Sequence, residues 1–169
     1  MESANRENSN EMKLVFDSRP ANEGLARVAV AAFCTQLNPT LEEVADLKTA
    51  VSEAVTNCIL HAYDGKVQPE ETEGKSGGKM MGEKYQIELR CRLKGQELSV
   101  DVIDHGVGIG DIKKAMEPLF TTKPEKDRSG MGFTFMEAFM DEVHVYSKEG
   151  EGTKVIMTKK MGEKNHLNG

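Results

Sequence analysis

Tyr85-Gln86-Ile87-Glu88-Leu89-Arg90-Cys91-Arg92-Leu93-Lys94-Gly95-Gln96-Glu97-Leu98-Ser99-Val100-Asp101-Val102 decides the fold class. Tyr85, Ile87, Leu89, Cys91 and Leu93 alternate with charged or polar residues, Lys94-Gly95-Gln96 supplies a turn, and Leu98, Val100 and Val102 resume the alternation. Side chains in a strand point to opposite faces in turn, so this pattern predicts a hairpin with one apolar and one wet face. A sheet with one wet face needs a single covering layer. The flanking segments must supply it.

Downstream, Phe133, Met136, Phe139 and Met140 have helical spacing, and Val143, Val145, a Lys148-Glu149-Gly150-Glu151-Gly152 turn, Val155 and Met157 read as a closing hairpin. Upstream, Met12, Leu14 and Phe16 alternate as a short opening strand after a polar tail at 1–11. Leu25, Val28, Ala29, Ala32 and Phe33 then recur at three and four residues, predicting a first helix that Ser18 or Asn22 caps and that ends by Asn38-Pro39. Thr40-Leu41-Glu42-Glu43 has the form of a capping box and starts a second helix running to about Ala62. Strands outnumber single crossovers, so the expected class is α+β, with helices on one face of a mixed, mainly antiparallel sheet. Residues 65–84 hold five glycines, Pro69, four acids and four lysines without apolar periodicity, and read as a mobile loop. One domain over 12–160 is expected, with a second tail at 161–169.

The 169 residues carry 22 Lys and Arg against 28 Asp and Glu, a net charge of −6 that argues against a dedicated nucleic-acid binder. The longest apolar run, Val28–Cys34, is far shorter than the ~20 residues that cross a bilayer, and Met1 to Glu11 has no hydrophobic leader, so a soluble cytoplasmic protein is expected. Cys34, Cys58 and Cys91 form no Cys-x-x-Cys and read as reduced core residues.

On a helical wheel, Val44, Leu47, Lys48, Val51, Val55, Cys58 and Ile59 gather on one side of the second helix, which is read as its core face. Glu53, Asn57 and His61 form a stripe on the other side. Each alone fits a solvated face, but the intervening Ala50, Ala54 and Leu60 suggest a pocket. Asp104-His105-Gly106-Val107-Gly108-Ile109 follows the hairpin and reads either as a glycine-ended turn or as part of a site. Glycines at 106, 108 and 110 do not make the dinucleotide fingerprint, and Gly74-Lys75-Ser76 lacks the earlier glycine and the flanking strand of a P-loop. Pro118 to Pro124 and Arg128-Ser129-Gly130-Met131-Gly132-Phe133 precede the third helix, where glycines and a helix start make either a phosphate cradle or a flexible loop.

Taken together and in order, these pieces resemble one superfamily. Glu53-Ala54-Val55-Thr56-Asn57 looks like its N box, Asp104-x-Gly106-x-Gly108 like its first glycine box, Arg128-Ser129-Gly130-Met131-Gly132 like its second, and Gly150-Glu151-Gly152-Thr153 like its closing threonine motif. The superfamily is that of the gyrase, Hsp90, histidine-kinase and MutL ATPases. Within it, Ser52 to Asn57, Pro118 to Pro124 and Arg128 to Thr134 resemble the anti-sigma serine kinases of endospore-forming bacteria, over about Met12 to Lys159.

The resemblance implies a Bergerat ATP-binding sandwich. Asp104 would accept a hydrogen bond from adenine, helped by Thr153. Asn57 would hold Mg²⁺, and Glu53 would be the general base. Gly106, Gly108, Thr121, Thr122, Lys123, Arg128, Ser129, Gly130, Met131 and Gly132 would line the nucleotide, and about 111–130 would form the ATP lid. For His61 both a structural and a phosphate-contacting role stay open, the structural one being the commoner for a helix-end histidine. The implied protein is a homodimer that silences a sporulation sigma factor and phosphorylates a serine of its anti-anti-sigma antagonist, without direct nucleic-acid or membrane contact. Arg27, a cation among apolar positions of the first helix, is read as snorkelling to solvent and is carried as a candidate partner contact. A sensor histidine kinase would need an upstream dimerising hairpin for which about forty residues leave no room. A general-stress anti-sigma kinase and a nucleotide-binding regulator without phosphoryl transfer are the alternatives.

Overall fold

A computed structural model of the chain describes residues 8–63, 85–118 and 132–162. The expectations placed on 1–7, on the 65–84 loop, on lid residues 119–130 and on 163–169 lie outside the described residues.

Strands β1 (Ser9–Asp17), β2 (Gln86–Lys94), β3 (Glu97–Asp104), β4 (Glu142–Lys148) and β5 (Gly152–Lys160) form one sheet in the order β1-β2-β3-β5-β4. All four pairings are antiparallel, the far end of the mainly antiparallel expectation. The hairpin read from the alternation is present. Lys94 pairs with Glu97 around Gly95 and Gln96, and Gly95 takes the left-handed φ of 60° that such a tight connection uses. Ile87, Leu89, Cys91, Leu93, Leu98, Val100 and Val102 are all buried on one face. On the opposite face Asp101 is also buried, because Arg92 donates to both of its oxygens at 2.9 Å and the Lys154 ammonium lies 3.5 Å away.

Helices α1 (Ala21–Cys34), α2 (Leu41–Asn57) and α4 (Gly132–Phe139) supply the covering layer, with α2 packed against both α1 and α4, while the short α3 (Ile112–Ala115) buries no residue. The capping box at the start of α2 forms as expected: Glu43 N–H donates to Thr40 Oγ1 at 3.1 Å and Thr40 N–H donates to the Glu43 carboxylate at 2.9 Å.

Four local expectations are corrected. β1 begins at Ser9, so Ser9 to Glu11 are paired with β2 rather than part of a tail. Met161, assigned to the closing tail, is fully buried, and its N–H donates to the Gln96 carbonyl at 3.0 Å. The buried face of α1 is Ala26, Val30, Phe33 and Cys34, whereas Leu25 and Val28 are 48% and 63% exposed. Both stripes have helical spacing, so periodicity alone does not choose between them. Neither Ser18 nor Asn22 caps this helix, because Pro20 occupies the cap position. Ser18 is buried beneath it with its N–H on the Tyr85 carbonyl, and Asn22 donates its amide to the Asp17 carbonyl.

Candidate functional site

The sequence stripe Glu53, Asn57 and His61 lies on α2 and its extension, each residue half-buried. After Asn57 the helix widens into a π-helical turn, Cys58–Ala62, so His61 does not continue the regular step from Glu53 to Asn57. The sequence shows no sign of this turn. Ala50 and Ala54, expected to line a pocket, are fully buried. Their small side chains suit a helix packed on both sides and do not line an open pocket, whereas Leu60, named with them, is half-buried. Beside Glu53, Ser52 donates to the Glu23 carboxylate of α1, and Arg27 lies 3.9 Å from the same carboxylate. Arg27 is therefore on the α1 side of the molecule with its side chain 43% exposed, as snorkelling requires.

Asp104 ends β3 and is buried. Its Oδ1 accepts from Gly106 N–H at 2.9 Å, and its Oδ2 accepts from the Cys58 thiol at 3.4 Å. Burial raises the carboxyl above the ordinary aspartate range, and the amides of Gly106 and Thr153, the Cys58 thiol and nearby His105 pull it back. A carboxyl in a desolvated niche that already meets three donors is built to accept a further hydrogen bond.

The loop after Asp104 interlocks with two other segments. A Cβ on Gly106 would lie 1.9 Å from the Ala62 carbonyl oxygen, which also accepts from Val107 N–H at 2.7 Å. Gly108 sits against the Lys148 carbonyl, and Gly150 N–H donates to the Val107 carbonyl at 2.8 Å. Gly152 has φ +105° and lies so near Asp104 that a Cβ would fall 2.1 Å from its carbonyl oxygen. Thr153 pairs with Asp104 across β3 and β5. Its hydroxyl is 2.7 Å from that of Ser147, which accepts from Ile109 N–H at 2.7 Å and donates to the Gly152 carbonyl at 3.0 Å. Ser147 escaped the sequence reading. Counting back from the Lys148 to Gly152 turn would have placed it opposite Thr153.

Two groups of sequence-selected residues are thus brought together. The Gly106 and Thr153 amides meet the Asp104 carboxylate, with Gly152 against the Asp104 backbone carbonyl, and Gly132 packs on the side-chain amide of Asn57, where a Cβ would meet Nδ2 at 2.9 Å and Oδ1 at 3.2 Å. Thr121, Thr122, Lys123, Arg128, Ser129, Gly130 and Met131 lie outside the described residues. Among the described residues no three His, Cys, Asp or Glu side chains form a metal-holding group, and no helix is long and apolar enough to cross a membrane.

Residues 16–159 match the family model described as the histidine kinase-like ATPase domain. The anti-sigma F factor of Thermoanaerobacter sp. strain X514 is 49% identical over 156 residues, covering 92% of this chain and 97% of that protein. The anti-sigma F factor of Clostridium novyi strain NT is 47% identical over 152 residues, covering 90% of this chain and 95% of its own. Among solved structures, the RsbU and RsbW domains of a Mycobacterium tuberculosis protein match with a TM-score of 0.56 at 18% identity, over 90% of this chain. That likeness concerns the fold, and this chain spans about a third of that structure's length, 32%.

Proposed function

Since the chain belongs to the histidine kinase-like ATPase family, we propose that it is an anti-sigma factor and an ATP-dependent protein serine kinase. It binds and inhibits a sporulation sigma factor and phosphorylates a serine of that factor's protein antagonist. The observation that carries this reading is the buried, donor-ringed carboxylate of Asp104, facing Thr153 at the end of the sheet, in a chain whose curated relatives are named anti-sigma F factors. Those relatives, at 47% to 49% identity, favour a sporulation role over a general-stress one.

In this reading the base enters between α2 and the sheet. The Asp104 carboxylate accepts from the exocyclic amino group of adenine, while Thr153 completes that edge. Guanine presents an acceptor at the same place, so selectivity follows from a mismatch of buried polar groups. Asn57 presents an amide oxygen, a hard donor that suits Mg²⁺ when phosphate oxygens provide most of the other ligands, in keeping with a described site that has no carboxylate cage. Bound there, the ion supplies charge stabilisation for the phosphates. Gly106, Gly108, Thr121, Thr122, Lys123, Arg128, Ser129, Gly130, Met131 and Gly132 line the nucleotide, and 111–130 act as the lid.

Glu53 stands one helical turn before Asn57 and is the general base. It takes the proton of the antagonist's serine hydroxyl as the oxygen bonds to the γ-phosphorus, and the bond from that phosphorus to the β-phosphate oxygen breaks to release ADP. The chain acts as a homodimer in the cytoplasm. The ATP-bound form holds the sigma factor, and Arg27 contributes to a partner surface.

Nucleotide state would then choose the partner. Sigma-factor affinity should differ between ATP and ADP states by at least about tenfold, ~1.4 kcal/mol, and linkage requires the sigma factor to tighten ATP relative to ADP equally. Titrating the sigma factor with ATP, ADP and no nucleotide measures this. Equal affinity in all three conditions would contradict the proposed switch.

A further inference from the structure

Residues 58–63, which directly follow Asn57, carry the loop that starts at Asp104. The Ala62 carbonyl accepts from Val107 N–H at 2.7 Å, and the Tyr63 hydroxyl accepts from His105 N–H at 3.1 Å while donating to the Gln86 carbonyl at 2.6 Å. The third link, the Cys58 thiol on Asp104 Oδ2 at 3.4 Å, is the one that reaches the carboxylate itself. Cys58 is 6% exposed, and burial beside Asp104 holds the thiol protonated well above the ordinary thiol range, so it remains a donor.

A carboxylate turns easily about its last torsion, which has a broad minimum. Gly106 N–H holds Oδ1 from the loop side at 2.9 Å. The Thr153 amide of β5 adds a second backbone donor, and the thiol, coming from the end of α2, is the side-chain donor that holds Oδ2 and limits the swing of the carboxylate plane. Three donors on the two oxygens leave one of the four lone-pair sites to offer a ligand.

We propose that Cys58 is a positioning residue for base recognition, its thiol holding the Asp104 carboxylate in the orientation that accepts a hydrogen bond from the exocyclic amino group of adenine. This rests on the reading of Asp104 as the base acceptor given above. Cys58 touches no substrate and acts through Asp104 alone. Losing the thiol should therefore cost only the part of affinity that depends on the 6-amino group.

The test uses the full chain with Mg²⁺ and two nucleotides, ATP and purine riboside triphosphate, which lacks the 6-amino group. The wild type should prefer ATP. Cys58→Ala should shrink that preference by about three- to tenfold while changing purine riboside triphosphate affinity less than about twofold. Cys58→Ser, which keeps a donor, should restore the preference. Cys58→Val fills nearly the same volume without a donor and should behave like the alanine variant, which separates a lost hydrogen bond from a cavity. A preference retained in both Cys58→Ala and Cys58→Val, or an equal loss for both nucleotides, would overturn the positioning role and leave the Asp104 reading standing. Equal binding of the two nucleotides by the wild type would overturn the Asp104 reading itself, and this proposal with it.

Discussion

Gly132, the first residue of α4, packs against the side chain of Asn57 on α2 so closely that a Cβ would lie 2.9 Å from Nδ2. Gly132→Ala therefore has to displace the end of a flexible side chain rather than backbone. The fold should tolerate this, with a melting temperature within a few degrees of the wild type. Asn57 should not hold its position, and affinity for Mg-ATP should fall by about tenfold. Calorimetric titration alongside thermal unfolding checks both halves. Unchanged affinity would separate the glycine from nucleotide binding.

Two other glycines should respond in opposite directions. Gly24 is inside α1, and a Cβ there meets nothing within 4 Å, so Gly24→Ala should stabilise the chain by ~0.5–1 kcal/mol through helix propensity. Gly106→Ala places its methyl 1.9 Å from the Ala62 carbonyl oxygen, a backbone atom that cannot step aside. It should destabilise by roughly 2–4 kcal/mol. Urea unfolding of the two variants distinguishes these signs.

Asp104 should couple stability to pH. Burial raises its carboxyl in the folded state, so between the ordinary aspartate range and that raised value the folded chain binds more protons than the unfolded one. Stability from this group is therefore lost as pH rises through that window. Asp104→Asn keeps the shape without the charge and should be more stable than the wild type near pH 7, an advantage that vanishes below the ordinary aspartate range. The same variant should lose about 1–3 kcal/mol of ATP affinity, since a donor replaces an acceptor. Denaturant titrations at several pH values check the first effect, and a wild type more stable than Asp104→Asn at pH 7 would contradict it.

Much of this architecture is legible in the chain. The alternation from Tyr85 to Val102 and the capping box at Thr40 and Glu43 specify their elements locally, through strand period and amide satisfaction, and both form as read. Helix α1 is different, since its two apolar stripes are equally periodic and tertiary packing selects Ala26, Val30 and Phe33 over Leu25 and Val28. In the candidate site, Asp104, Gly106, Gly108 and Thr153 stand out as motif residues; the structure brings Gly106 and Thr153 to Asp104 and packs Gly108 against the Lys148 carbonyl. Cys58 and Ser147 do not stand out. The Cys58 contact depends on a π-helical turn that leaves no compositional mark, and the Ser147 contact on a cross-strand register that shows only on counting back from the Lys148 to Gly152 turn.

In the proposed reaction Glu53 moves the proton in a phosphoryl transfer from ATP to a protein serine while Asn57 holds the metal-bound nucleotide. The direct measurement is transfer of labelled γ-phosphate from ATP to the anti-anti-sigma protein by the wild type, Glu53→Gln and Asn57→Ala, with ATP affinity determined for each. The wild type should produce phosphoserine. Glu53→Gln should bind Mg-ATP within about threefold of the wild type yet transfer at least ~100-fold more slowly, the usual scale of general-base catalysis, and Asn57→Ala should lose both binding and transfer. A wild type that binds ATP without labelling the serine, or a Glu53→Gln variant that labels it at the wild-type rate, would contradict the proposed kinase reaction.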